Sequence, residues 1–191
     1  MRNLVYYIAL SIDGKIAGPD DEVEFYPSSE DYMNWMNTEF PDVLPSHFRA
    51  QLGLSDTPNP NFDTIVMGRR TYDPGWKNGI PSPYAHLRQY VFSRSLESKH
   101  PDVEIVSTDP VAKVRELKRE DSDKDIYLAG GGEFAGQLLG EIDKLVIKYY
   151  PVVAGAGRDG FGSTFNPTLF DLTEVKTFDG GNAVLYYDKK K

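Results

Sequence analysis

Seven residues near the start of the chain, Leu4-Val5-Tyr6-Tyr7-Ile8-Ala9-Leu10, follow one another without a polar interruption. They favour β structure and are too continuously apolar for a strand with one wet face, so they demand a central strand covered on both sides. Such a strand needs neighbours in a sheet and packed layers above and below it. Further strands are predicted at Phe62–Met67, Tyr90–Phe92, Val103–Val106 and Asp125–Ala129. Between them lie helix signals. Ser28 and Ser29 can cap a helix through Tyr32, Trp35 and Met36 to Phe40. Asp109-Pro110 opens another, with Val111, Val114 and Leu117 as its apolar side, and a third starts at Gly132 and carries Phe134, Leu138 and Leu139. Pro41, Pro45, Pro58 and Pro60 break the intervening stretch into an excursion with at most one short helix, Ser46–Leu52. A β-rich run from Lys144 to Val153 and a last strand at Ala183–Tyr187 are predicted to pair as an antiparallel edge. The pattern is that of an α/β sandwich with a mostly parallel centre and an antiparallel C-terminal edge. With 191 residues the chain suits one core, hence a single domain over 1–191.

Charge and residue usage exclude several kinds of function. The formal net charge of -8 and a pI near 4.9 oppose nucleic acid and anionic membrane surfaces, so a phosphate-bearing ligand would have to be held by local cations. There is no cysteine, and His47, His86 and His100 have no metal-ligand spacing, so no metal site is expected. The Leu4–Leu10 run is far too short to span a membrane and no cleavage site follows it, which makes a cytoplasmic location the expectation.

Candidate chemistry sits where strands end. Gly130-Gly131-Gly132 follows a strand and precedes a helix. It reads either as a tight turn needing positive φ, or as a place where backbone amides approach a pyrophosphate at a helix N-terminus. Met67-Gly68-Arg69-Arg70-Thr71 repeats the arrangement with two adjacent cations. Ser93-Arg94-Ser95 follows the Tyr90–Phe92 strand and offers hydroxyls and a guanidinium suited to a ribose 2′-phosphate, or simply a polar turn. Ser11-Ile12-Asp13-Gly14-Lys15-Ile16-Ala17 is a turn after the first strand that re-enters extended structure.

Taken in order, a strand ending in S-x-D-G-x-I-A, a later M-G-R-x-T, a G-G-G turn and the late segment Pro151-Val152-Val153-Ala154-Gly155-Ala156-Gly157-Arg158 resemble the dihydrofolate reductase superfamily across nearly the whole chain. The branch resembled holds dihydrofolate reductases and the reductase domain of bifunctional riboflavin-biosynthesis deaminase-reductases. The resemblance implies a three-layer sandwich and NADPH-dependent hydride transfer to a small folate- or pterin-like heterocycle. It implies that Ala9, Ile16 and Ala17 line the nicotinamide, that Gly68, Arg69, Arg70 and Thr71 with Gly130, Gly131 and Gly132 hold the pyrophosphate, and that Ser93, Arg94 and Ser95 meet the adenosine phosphate. Glu133 and Phe134 border the cofactor in this reading, although a glutamate at a helix N-terminus is favourable without a ligand. Homodimers through the sheet ends are a further implication.

Hydride transfer to a C=N bond also needs a proton on nitrogen. Asp31, near the start of the first helix, is the candidate donor, with Glu30 as its rival and Trp35 facing the same cleft as a substrate contact. Complementing the helix dipole is the alternative role for Asp31. Two departures bear on the substrate. Ala129 stands where riboflavin-type reductases carry a glutamate before the glycine pair, and Glu24-Phe25-Tyr26-Pro27 replaces the tryptophan-bearing loop of dihydrofolate reductases. The alternatives are therefore a riboflavin-pathway reductase of a ribosylaminouracil phosphate and a non-catalytic dinucleotide-binding sensor.

Overall fold

A computed structural model describes residues 1–98, 100–162 and 165–190. An eight-stranded sheet runs in the order β5-β4-β3-β6-β1-β7-β10-β9. Six of these strands are mutually parallel: β1 (Leu4–Leu10), β3 (Phe62–Gly68), β4 (Arg88–Phe92), β5 (Val103–Val106), β6 (Asp125–Gly130) and β7 (Lys144–Tyr149). β10 (Ala183–Lys189) is antiparallel to β7 and to β9 (Phe170–Thr177). A separate two-stranded ribbon joins β2 (Lys15–Ala17) to β8 (Arg158–Asp159).

β1 lies between β6 and β7 and is buried on both faces. Leu4, Tyr6, Ile8 and Leu10 face one layer, in which α4 (Pro110–Arg119) contributes Val114 and Leu117, and α5 (Gly132–Gln137) contributes Phe134 and Ala135. Val5, Tyr7 and Ala9 face the other, formed by α1 (Glu30–Glu39) with Tyr32, Trp35 and Met36, and by Tyr72 of α3 (Arg69–Lys77). The fold is thus a three-layer sandwich with a mostly parallel centre. The Asp109 carboxylate caps α4, accepting from the Val111 amide at 2.9 Å.

The C-terminal edge differs from the sequence expectation. β7 stops at Tyr149, two residues before Pro151, and β10 is an interior strand with β9 outside it. β9 escapes a hydrophobic pattern search because its residues are largely exposed and include Asp171, Glu174 and Lys176. Charge on an outer strand discourages edge-to-edge aggregation.

The proline-rich excursion, including α2 (Ser46–Gln51), is a built substructure. Buried Asp42 accepts from the Asn61 and Phe62 amides, both at 2.7 Å, and the buried Arg49 guanidinium donates to Asn59 Oδ1 at 2.7 Å and to the Leu54 and Thr57 carbonyls. These anchors hold the excursion at the N-terminal end of β3. Seven residues of strand, about 20 Å, separate that end from Gly68. Among the described residues no helix is long and apolar enough to cross a membrane.

Candidate functional site

The C-terminal ends of β1, β3, β4 and β6 all open onto one edge of the sheet, the edge at which α/β folds bind ligands. β3 passes through Gly68, the N-cap of α3, and β6 passes through Gly130 to Gly131, the N-cap of α5. The first amides of a helix have no partner within it, so donors and the positive end of the α3 dipole face this edge. The Gly130–Gly131 peptide is cis, and Gly130 has φ +110, a conformation that side chains with a Cβ rarely adopt.

Glycine does different work at the next two positions. A Cβ on Gly131 would make only ordinary van der Waals contact, with Ile16 Cδ1 and Thr71 Oγ1, both at 3.8 Å, so this position tolerates a side chain and sits between residues of β2 and α3. A Cβ on Gly132 would fall 1.9 Å from the Asp159 carbonyl oxygen, because β8 lies directly across the start of α5. Phe134 in turn packs on Phe92 with centroids 4.8 Å apart, and its Cβ is 3.3 Å from where one on Gly68 would be. Gly68, Thr71, Ile16, Gly130, Gly131, Gly132 and Phe134 therefore meet in space although they come from three separate stretches of the chain.

Cations rim this cluster. Arg69 donates to Ser95 Oγ at 2.8 Å and pairs with Asp73 at 3.4 Å, linking the α3 start to the loop after β4. Arg70 and Glu133 approach to 3.8 Å across the two helix starts, both well exposed. Ser93 Oγ accepts from the Ser95 and Leu96 amides, which shapes that loop. Arg94 is exposed and has no ion pair among the described residues.

The turn after β1 is held by Asp13. Its carboxylate accepts from the Ser11 hydroxyl at 2.6 Å and from the Ala154 and Gly155 amides at 2.9 and 2.8 Å. These bonds to the anion hold its pKa down at about 2. The S-x-D-G turn and the late P-V-V-A-G-A-G segment are thereby one structure, from which Ile16 and Ala17 extend along β2. Ala17 is buried against this ribbon, and Ala9 is half-buried at the end of β1.

The proposed acid behaves otherwise. Asp31 is exposed, and its carboxylate accepts from the Ser29 hydroxyl and from the Asp179 amide at 3.0 Å. The Ser29 bond, then the Asp179 bond, lower its pKa. A carboxyl held as an anion with its oxygens occupied is poorly suited to donate a proton at neutral pH. The geometry makes it a latch between α1 and the β9–β10 turn instead. Glu30 is likewise exposed on the first turn.

Trp35 does lie in the layer between α1 and the sheet, against Tyr32, Phe40 and Phe178 at centroid distances of 6.0, 5.6 and 5.3 Å, and its buried Nε1 has no partner among the described residues. The same layer holds a residue that sequence reading passed over. Lys148 interrupts the apolar run of β7, is the in-register neighbour of Ala9, and shares its face of the sheet. Its Nζ stands over the Tyr7 ring at 4.1 Å from the centroid. Burial alone pulls its pKa down to about 7. A lysine inside an otherwise apolar central strand was the available signal. Among the described residues there is no group of three or more His, Cys, Asp or Glu able to hold a metal ion.

Comparison with known proteins agrees with this architecture. A B. subtilis (strain 168) protein, the uncharacterized YwjB, is 32% identical over 190 residues, covering 97% of each chain. A solved structure from Shewanella sp. PV-4, named by inference as a riboflavin biosynthesis protein, superposes with TM-score 0.71 at 23% identity over the full length of both chains. The Thermotoga maritima diaminohydroxyphosphoribosylaminopyrimidine deaminase/5-amino-6-(5-phosphoribosylamino)uracil reductase superposes with TM-score 0.63 at 16% identity, covering 99% of this chain and 57% of that one. At these identities the structures speak for the fold, which is the dihydrofolate-reductase-like one. The family model of the RibD C-terminal domain matches residues 2–184, and the chain belongs to that family of reductases.

Proposed function

We propose that the protein is an NADPH-dependent reductase that delivers hydride to a small planar heterocycle. The observation that carries the reading is the meeting of Gly131 with Ile16 and Thr71 beside the α3 N-terminus, under a rim of Arg69, Arg70 and Arg94 in an otherwise acidic chain. This arrangement fits a dinucleotide: the amides around Gly68 and Gly131 would receive the pyrophosphate, and Arg69 and Arg94 with Ser93 and Ser95 would receive the 2′-phosphate. The reduced nicotinamide supplies the hydride. Ala9, Ile16 and Ala17 would provide an apolar wall on which its ring lies, and the small alanine side chains leave it room. The aromatic layer of Tyr32, Trp35 and Tyr150 keeps water from the reacting face.

Family membership favours a second reading, reduction of a ribosylaminouracil phosphate. Lys176, whose Nζ lies over the Trp35 ring at 5.8 Å, would be a cation at the outer end of the cleft for such a phosphate. The deciding experiment pairs a thermal shift with NADPH and with NADH against nicotinamide absorbance loss on adding dihydrofolate or 5-amino-6-(5-phosphoribosylamino)uracil. At about 100 times its dissociation constant a ligand stabilises by roughly 2.7 kcal/mol, or roughly 5–10 °C for a chain of this size. A shift larger with NADPH followed by turnover of one acceptor is the expected result. NADPH binding without transfer to either would favour a sensor, and no binding would remove the reading.

Homodimer formation is part of the same proposal. The outer face of β9 exposes Leu172 and Val175, with Leu169 just before it, each at least half accessible. A second copy of the chain is the partner we assign to that surface.

A further inference from the structure

Resting on the reductase reading, we propose that Lys148 is the proton donor of the reaction, presenting its ammonium to a ring nitrogen or carbonyl oxygen of the bound heterocycle. Ala9, Lys148, Val184 and Lys176 are consecutive in-register partners across β1, β7, β10 and β9, so their side chains leave the same face of the sheet, toward α1. Ala9 contributes only a methyl group beside the Lys148 side chain, so little side-chain bulk from β1 stands next to the ammonium.

The same layer holds donors without acceptors. Tyr7 is 2% exposed, and among the described residues its hydroxyl has no hydrogen-bond partner; neither has the buried Nε1 of Trp35. Lys148 itself has no ion pair and no hydrogen bond among the described residues, only the Tyr7 ring beneath it. Buried donors are ordinarily satisfied, so those of Tyr7 and Trp35, in the same layer as the partly buried Lys148 ammonium, point to an acceptor-rich planar ligand. A carboxylate is the usual partner of a lysine in such a layer, and among the described residues none pairs with this one. The groups around it are Tyr7 from β1, Tyr150 just after β7 and Tyr186 from β10; near these tyrosines lie Asp42, Glu39 at the end of α1, and Glu174, which pairs with Lys176 on β9. Tyr7 and Tyr150 titrate above the ordinary phenol range and Tyr186 at about 12, all three raised chiefly by burial. Lys148, with a pKa near 7, is thus poised to exchange a proton at neutral pH where these phenols cannot.

The step balances as follows. The carbon of the substrate's C=N bond gains the hydride given up by the dinucleotide, which leaves oxidised. The π pair moves to nitrogen, which takes a proton from the Lys148 ammonium, and the neutral amine regains a proton from water.

The test uses the intact protein, K148M and K148R. Cyanate, a small reagent for neutral amines, should carbamylate Lys148 at pH 7.5 at least tenfold faster than the other lysines, and saturating NADPH should slow it at least tenfold. With the acceptor that is turned over, K148M should lose at least a hundredfold in kcat, and the wild-type decline of kcat above pH 7 should disappear. K148R, which hydrogen-bonds but does not readily give up its proton, should keep KM within a few-fold while losing kcat. NADPH that raises the melting temperature but leaves Lys148 labelling unchanged, or a K148M enzyme with wild-type kcat and pH profile, overturns the proposal. Absence of any NADPH shift in the folded protein instead defeats the reductase reading on which it rests.

Discussion

The Nζ of Lys148 stands 4.1 Å from the centroid of the Tyr7 ring, on the face of the sheet that α1 covers. The attraction between an ammonium and a phenol ring, about 0.5–2 kcal/mol, favours the charged amine, and burial opposes it. Burial wins, since the pKa falls to about 7.

That outcome has a consequence for stability that needs no substrate. In the unfolded chain the amine titrates near 10.4, so between about pH 7 and 10.4 the unfolded state binds more protons. Stability gained from this residue therefore rises with pH through that window, and its cost is complete below about pH 7. K148M removes the cost. It is expected to melt higher than the native protein at pH 6, by up to roughly 4 kcal/mol, with the advantage shrinking toward pH 10. Parallel melting curves at pH 6, 8 and 10 check this. A difference that does not change with pH contradicts a depressed lysine.

Gly131→Ala and Gly132→Ala separate cradle from scaffold. At Gly131 φ is -80 and a Cβ would meet only atoms at 3.8 Å, so the alanine variant should keep its melting temperature within about 2 °C while losing at least tenfold in NADPH affinity. At Gly132 the Cβ would strike the Asp159 carbonyl oxygen, forcing β8 away from α5. That variant should lose about 2 kcal/mol or more of stability before any ligand is added. Thermal melts with and without NADPH distinguish the two, and equal behaviour would contradict the geometry.

Much of this site was legible in the sequence, for a physical reason. Strand-to-helix turns are local: Met67-Gly68-Arg69 and Ala129-Gly130-Gly131 announce themselves because the chain must reverse curvature within a few residues, and few residues other than glycine allow it. The side chains brought together by register were not legible. Nothing near Lys148 in sequence says that Ala9 lies beside it or Tyr7 beneath it, and Asp31 could not be seen to reach the Asp179 amide 148 residues away. β9 was missed for a related reason. Its exposure on the sheet's outer edge removes the apolar alternation by which strands are recognised. The proline-rich segment was legible as irregular but not as remote from the site, because the bonds of Asp42 that anchor it reach across about twenty residues to the start of β3.

The Asp13 latch sets an acid limit on the ordering of the β2 ribbon. Its folded pKa, about 2, lies below the unfolded value near 3.9, so its contribution is present above pH 4 and is lost as pH falls through about 2. Hydrogen exchange at the Ala154 and Gly155 amides should accelerate from pH 5 to pH 2 beyond the intrinsic pH effect. D13A should show that loss of protection already at pH 7. Unchanged protection in D13A would mean that other bonds hold the turn.

At the opposite end of the sheet, Arg2 is 3% exposed and ties three strands and a helix together. Its guanidinium pairs with Asp63 and, at 3.1 Å, with Glu120, and donates to Thr64 Oγ1 at 3.0 Å and to the Lys124 carbonyl at 2.9 Å. R2A would take a buried cationic donor from Asp63, Glu120 and Thr64, which would keep only the weaker support of Ser122 and Arg88, at a cost of about 3 kcal/mol, or roughly 6–12 °C in melting temperature. NADPH affinity should be unchanged, since the clamp is a strand's length from Gly68. A variant that melts normally would show that Arg88, which also reaches Glu120 and Thr64, takes over the role.

In the proposed NADPH site, cofactor choice would rest on Arg94. Arg69 is already engaged by Asp73 and Ser95, and Arg70 lies opposite Glu133, so Arg94 is the least compensated cation at this rim. A ribose 2′-phosphate is the one group by which NADPH differs from NADH, and a charge-assisted contact to it is worth about 1.5–3 kcal/mol. R94A should therefore weaken NADPH by about tenfold or more and NADH by less than twofold, measured by titrating nicotinamide fluorescence. Because the preference disappears only if the lost contact was to the phosphate, equal weakening of both would move the 2′-phosphate away from the loop after β4. The pyrophosphate assignment at Gly68 and Gly131 would still stand on its own geometry.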